Sequence, residues 1–127
     1  MPSFIGMSAE DVLIQVADEG TVWSLEPDFA TIRTLPTRGV IVTCRSADAR
    51  FDFVSRFFAP AVGVDEDPVT GSSHCVLTPF WSQRLGKASM TAYQASARGG
   101  VLRVRLDNDR VRIAGRAVTV IKGELAA

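Results

Sequence analysis

Asp67-Pro68-Val69-Thr70-Gly71-Ser72-Ser73-His74-Cys75-Val76-Leu77-Thr78-Pro79-Phe80-Trp81-Ser82-Gln83-Arg84-Leu85-Gly86 is the stretch on which the reading of this chain turns. A helix should start near Thr70–Ser73, run to about Leu85 and stop at Gly86, a residue that tolerates the left-handed conformation of a helix end. Val76, Leu77, Phe80, Trp81 and Leu85 recur at helical spacing, and Cys75 widens the apolar surface. A helix that is apolar around much of its circumference belongs in a core, with structure on several sides. Pro79 lacks a backbone donor and should bend the helix or loosen one turn.

Outward from this helix the pattern changes to strands. On the amino-terminal side, Asp11–Ala17 reads as a strand, Asp18-Glu19-Gly20 as a turn, and Thr21–Leu25 as a helical turn. Asp28 is placed to cap a short helix through Ile32 and Leu35, before Pro36. Val40–Cys44 is β-branched and continuous, as in a strand buried on both faces. Phe51–Phe58 is a further, mostly aromatic strand. On the carboxy-terminal side, Met90–Ser96 and the alternating Val101–Leu106 are strands, and Asp107-Asn108-Asp109 turns the chain into Arg110–Ile113. Gly115 interrupts the run and Ala117–Ile121 completes it. The expected fold class is α+β: one domain over residues 1–127, a single β-roll of mixed and antiparallel strands around a central helix. An open α+β sandwich is the alternative.

The composition sets outer limits. The 127 residues carry 14 basic and 14 acidic side chains, without a basic stripe, so no nucleic-acid partner is expected. No apolar run reaches the ~18 residues that span a bilayer. The first residues lack the basic and apolar segments of a signal peptide, which leaves the cytoplasm as the default compartment and no membrane partner. Cys44 and Cys75 are too few and too far apart for a disulfide framework. One histidine and no CxxC spacing argue against a metal site.

The chemistry concentrates just before the helix. Asp65, Glu66 and Asp67 place three carboxylates beside a helix amino terminus, and Pro68 holds Asp67 in an extended, stiff loop. Thr70, Gly71 and Ser72 then expose the first free N–H groups, an end suited to a carboxylate or phosphate. A small acid could dock there and present a C–H bond to Asp67. A helix capped by an acidic first turn satisfies the same dipole, and these residues alone leave both readings open.

Asp67–Cys75 resembles the carboxy-terminal signature of the PhzF-like family, E-D-P-V-T-G-S-A-H-C. The family comprises relatives of phenazine-biosynthesis isomerases with a diaminopimelate-epimerase-like fold. The likeness extends to Arg56-Phe57-Phe58-Ala59-Pro60, to Gln94-Ala95-Ser96-Ala97-Arg98-Gly99-Gly100, to Arg110-Val111, to Gly115-x-Ala117-Val118 and to Glu26-Pro27-Asp28. It covers nearly the whole chain. It implies two similar β-rolls with a ligand cleft between the amino termini of their helices, and proton transfer on a small carboxylate-bearing molecule without a cofactor. Asp67 then matches a cleft aspartate and Ser72 the serine at the helix start, the two catalytic candidates. Gly71, Ser73, Arg98 and Gly99 are substrate-binding candidates, with Gly100 beside them. Arg98 is equally an exposed arginine before a turn. His74 is either packed against the helix or functional.

Family members run to about twice this length, and only their carboxy-terminal half resembles this chain. Nothing here looks like the G-N-P-type helix start and preceding glutamate of the other half. Three functions follow as expectations. One is a cofactor-independent isomerase whose cleft is rebuilt in a homodimer. The second is a non-catalytic small-anion-binding or scaffold module. The third is one subunit of a split enzyme, partnered by a missing amino-terminal half.

Overall fold

The computed structural model describes residues 1–126. Its strands are β1 (Phe4–Met7), β2 (Asp11–Gln15), β3 (Gly39–Arg45), β4 (Phe53–Phe58), β5 (Ser89–Gln94), β6 (Gly100–Asp107) and β7 (Arg110–Ala114). The helices are α1 (Glu19–Ser24), α2 (Phe29–Arg33) and α3 (Gly71–Leu85). The seven strands form one mixed sheet in chain order. β2–β3 and β4–β5 are parallel pairs, and every other neighbour is antiparallel. The fold class is α+β, as the sequence leads one to expect.

Each parallel pair needs a crossover. α1 and α2 cross from β2 to β3, and α3 crosses from β4 to β5. The two pairs run in opposite directions while the chain advances across the sheet the same way. Right-handed crossovers then put their helices on opposite faces. Strand β3 shows the result by alternation. Val40, Val42 and Cys44 pack with Val22 of α1 and Phe29 and Ile32 of α2, whereas Ile41 packs with Leu77, Phe80 and Trp81 of α3. The expected burial of this strand on both faces is thereby met.

α3 is the centre of the larger core. Phe53 stacks on Trp81 with ring centroids 5.9 Å apart, and Trp81 Nε1 donates to Thr43 Oγ1 at 3.0 Å. Phe80 meets Phe4 of β1 at 5.4 Å, while the same helix also touches β6 and β7 at the other side of the sheet. Seven flat strands would span about 29 Å, and a helix with its side chains is about 10–12 Å across. The sheet therefore bends around α3. The helix continues through Pro79, and Gly86 ends it in the left-handed region (φ 66°) with its N–H donating to the Ser82 carbonyl. Asp18 and Asp28 cap α1 and α2 through the amides of Thr21 and Thr31.

The ends of the chain depart from the sequence reading. β1, which no sequence pattern announces, forms through antiparallel pairing with β2. The anticipated strand at Ala117–Ile121 does not form, and residues 115–126 lie outside any helix or strand. Val118 and Val120 are each 85% exposed. β-Branched alternation supplies the propensity, but a strand also needs a neighbour to bond. Phe51-Asp52 and Ala95-Ser96 flank β4 and β5 rather than joining them. Among the described residues, no helix is long and apolar enough to cross a membrane.

Leu77 is fully enclosed between α3 and the sheet. Leu77→Ala should lower unfolding stability by about 2–5 kcal/mol, read from a chemical denaturation curve; an unchanged midpoint would remove Leu77 from the core.

Candidate functional site

The loop from β4 to α3 is fastened before the site begins. The Asp67 N–H donates to the Phe57 carbonyl at 3.1 Å. Arg56 forks onto Glu66 with contacts of 2.7 and 3.1 Å, and its Nη1 donates to the carbonyls of Val22 and Leu25 at 3.0 Å each. Glu66 is thus a strut that ties the loop to β4 and α1. Asp65 points to solvent beside Arg33 at 3.7 Å. Of the three carboxylates that the sequence groups together, only Asp67 turns to the start of α3.

There the contacts form a closed set. Thr70, the residue before α3, donates its hydroxyl to Asp67 Oδ2 at 2.6 Å. The fully buried carboxamide of Gln94 accepts the Thr70 N–H at 2.7 Å and donates to the Asp67 carbonyl at 2.8 Å and to Thr70 Oγ1 at 3.0 Å. Ser96 Oγ donates to the Pro68 carbonyl at 2.8 Å and accepts the Gly99 N–H at 3.0 Å. Strand β5 and the turn after it therefore hold the whole Asp67–Thr70 segment from below.

Two features of the sequence reading change. The Thr70 N–H is not free, because Gln94 takes it. Helix capping is also not what the loop does: Thr70 makes no side-chain cap bond, and the first turn of α3 has no acidic residue. The N–H groups of Gly71, Ser72 and Ser73 fall in the turn that lacks intrahelical acceptors, and among the described residues none has an acceptor elsewhere. Gly71 and Ser72 are exposed; Ser73 is buried and its hydroxyl donates to the Thr70 carbonyl at 3.1 Å. Asp67 and an open helix end thus lie side by side, an arrangement that can hold an anion next to a carboxylate.

His74 is fully buried, stacked against Phe53, with Nδ1 2.6 Å from the Thr70 carbonyl. A carbonyl only accepts, so Nδ1 carries the proton and Nε2 is the unprotonated nitrogen, with no partner among the described residues. Burial pushes the imidazole below its ordinary value of 6.5, although the Thr70 bond opposes the shift. This is the packed reading of His74.

Arg98 and Gly99 lie in an adjoining groove of about 860 Å³, lined also by Val69, Gly100, Arg103 and Gly115–Val118. Asp67 and Gly71–Ser73 are not among its lining residues. The groove is closely packed at Val69 and Gly100, which both line it. A Cβ on Gly100 would come within 2.2 Å of Val69, and Gly99 adopts φ 73° under the Tyr93 hydroxyl. The structural work of Thr70, Gln94 and Ser96 was not legible in the sequence. The one signal was a glutamine at an inward position of a strand otherwise built for a core.

The architecture is that of a mixed sheet wrapped on one helix, with the first turn of that helix exposed at Gly71 and Ser72. The phenazine biosynthesis-like (PhzC-PhzF) family model matches residues 1–123, and the chain belongs to that family. A protein of Pseudomonas aeruginosa named as an uncharacterized isomerase is 57% identical over 118 residues, 93% of this chain and 44% of that protein. A protein of Halalkalibacterium halodurans with the same description is 48% identical over 124 residues, 98% of this chain and 47% of that protein. Among solved structures, a PhzF-family protein of Enterococcus faecalis superposes with a TM-score of 0.89 at 38% identity, covering 100% of this chain and 48% of the other. A putative PhzC/PhzF protein of Clostridium difficile gives 0.87 at 40% identity, covering 100% and 48%. The chain spans about half the length of these relatives.

Two outcomes are expected. Acetate or sulfate titrated into ¹⁵N-labelled protein should shift the amides of Gly71, Ser72 and Ser73 first and saturably; shifts confined to Arg98 would move the anion site to the groove. His74 should make stability fall on acidification. The folded state resists the proton while the unfolded chain takes it up near 6.5, so the unfolded state binds more protons as pH drops through that value. The dependence is at most about 1.4 kcal/mol per pH unit, and it should be weaker between pH 7 and 5 in His74→Gln.

Proposed function

We propose that this chain is an isomerase- or epimerase-type half-site. In this reading it binds a small carboxylate at the start of α3 and moves a proton on the ligand's carbon through Asp67, without a cofactor. The observation that carries the proposal is the juxtaposition of Asp67 with three N–H groups that have no acceptor among the described residues. Membership of a family whose relatives are named isomerases supports the reaction class.

The ligand's carboxylate would sit on the N–H groups of Gly71, Ser72 and Ser73, where the helix end favours negative charge. Ser72, exposed at that end, would add its hydroxyl. As the C–H bond breaks, the electron pair moves into the acid's π-system and the proton goes to Asp67. Its return to another carbon completes an isomerisation with no net redox change, while an epimerisation would take its proton from a second donor on the opposite face, supplied by whatever closes the site. Arg98 and Gly99 would border the ligand from the adjoining groove. A carboxylate in bulk water is a poor base towards carbon, so the step requires a site that excludes water and aligns the ligand.

Gly71 and Ser72 are exposed, and one wall of such a site is therefore needed from elsewhere. In our reading a second copy of the chain supplies it, as a two-fold homodimer, or a separate chain equivalent to the other half of the longer relatives does. Val62 at 60% exposure, Val118 and Val120 are apolar surface that association would cover. A binding or scaffold module is the reading that remains if the closed site moves no proton.

Solvent deuterium should enter one or more members of a panel of amino acids and dihydroaromatic acids, as seen by mass spectrometry, and Asp67→Asn should abolish it. A dimer inert on the whole panel would favour the binding module. Sedimentation velocity should show a dimer that Val120→Glu weakens. A strict monomer at high concentration, or a dimer joined through a face remote from Asp67, would rule out a cleft rebuilt from two copies.

A further inference from the structure

Gln94 lies below the site and faces no ligand, yet its bonds determine how Asp67 is presented. The orientation of its carboxamide is fixed by its partners. The Thr70 N–H can only donate, so Oε1 must face it; the Asp67 carbonyl can only accept, so Nε2 must face that. Nε2 then also reaches Thr70 Oγ1 at 3.0 Å and donates to it. A hydroxyl has one hydrogen, and with Gln94 donating into its lone pair that hydrogen must point elsewhere. The acceptor within reach is Asp67 Oδ2, at 2.6 Å.

The consequence falls on the two oxygens of Asp67. Oδ2 is held as an acceptor by a donor whose direction is itself locked. Oδ1 has no protein partner among the described residues. We propose that Gln94 and Thr70 are positioning residues that fix the Asp67 carboxylate in one rotamer, so that Oδ1 alone is presented to a ligand and alone exchanges a proton with it. This rests on the reading of Asp67 as the proton-transfer group; the fixed rotamer itself does not. The relay is also shielded: Gln94 and Thr70 are both buried, and the Thr70 carbonyl is occupied by Ser73 Oγ and His74 Nδ1. Every polar atom of Thr70 thus has a partner, and the hydroxyl has no competing acceptor among the described contacts.

The experiment compares Thr70→Val, Thr70→Ser and Gln94→Glu with the parent chain. Thr70→Val deletes the hydroxyl and keeps both backbone bonds. Gln94→Glu keeps an acceptor for the Thr70 N–H and replaces the donor with a second acceptor for the hydroxyl. The first readout is the pair of Asp67 Hα–Hβ scalar couplings, which report side-chain rotamer and owe nothing to turnover. The parent and Thr70→Ser should show one large and one small coupling, the signature of one rotamer, and Thr70→Val and Gln94→Glu should show averaged values. The second readout is deuterium incorporation into whichever panel acid the parent exchanges. It should fall by about tenfold or more in Thr70→Val, with the acetate-induced shifts at Gly71–Ser73 retained and partial recovery in Thr70→Ser. Asp67 couplings unchanged in Thr70→Val would overturn the proposal, whatever happens to exchange. If Gln94→Glu fails to fold, the Thr70 pair still decides. Loss of acetate binding in the parent would sink the anion cradle and leave the rotamer test intact.

Discussion

A helix with Leu77, Phe80, Trp81 and Val76 on more than one side cannot rest on a flat sheet, because half of its apolar surface would remain in water. Enclosing it is the constraint from which the rest of the structure follows. Seven strands of modest length curve until the first and last both reach the same helix, with Phe4 arriving from one side and β6 and β7 from the other. Curvature in turn leaves the outer face of β2–β4 uncovered, and the short helices α1 and α2 close it over Val40, Val42, Cys44 and Phe58. Burial in that second layer is deep enough to push the Cys44 thiol up to about 12, so it stays protonated and behaves as a small apolar side chain.

A buried helix creates a second demand at its ends. Backbone groups that lack intrahelical partners must find others or face solvent. The carboxy-terminal end is resolved locally by Gly86. At the amino-terminal end the protein has capping material to hand, a threonine and an aspartate, and uses neither to cap. The Thr70 hydroxyl and the Asp67 carboxylate bond to each other, with Gln94 beneath them. Side chains are thus spent on rigidity of the loop, and the first-turn N–H groups stay open. The result is a polar base with its hydrogen bonds satisfied under a helix end whose first N–H groups have no acceptor among the described residues.

The same economy separates neighbours that look equivalent in the chain. Asp65, Glu66 and Asp67 are consecutive, yet one faces solvent, one braces Arg56 and one faces the helix. Arg98 and Gly99 follow closely on Gln94, but they line a groove whose lining leaves out Asp67 and Gly71–Ser73. The chain spans about half the length of its relatives, and apolar side chains are exposed at Val118, Val120, Ile121 and Leu125.

The sequence by itself determined the helix from Thr70 to Leu85, its stop at Gly86, the doubly buried strand at Val40–Cys44, the Asp28 cap and the hairpin at Asp107–Asp109. These are set by spacing and by residues whose backbone preferences are local. The long match from Asp67 to Cys75 made the family legible too, since a signature of that length carries its own specificity. What only the tertiary structure decided is everything that depends on a partner distant in sequence. β1 exists because β2 lies beside it, and Ala117–Ile121 stays outside the sheet because propensity without a neighbouring strand makes no ladder. Gln94 is 24 residues from Thr70, and no periodicity announces that its carboxamide will take the Thr70 N–H and turn the hydroxyl towards Asp67. Local geometry is written residue by residue, whereas the direction of a hydrogen bond is set by whichever groups the fold brings within 3 Å.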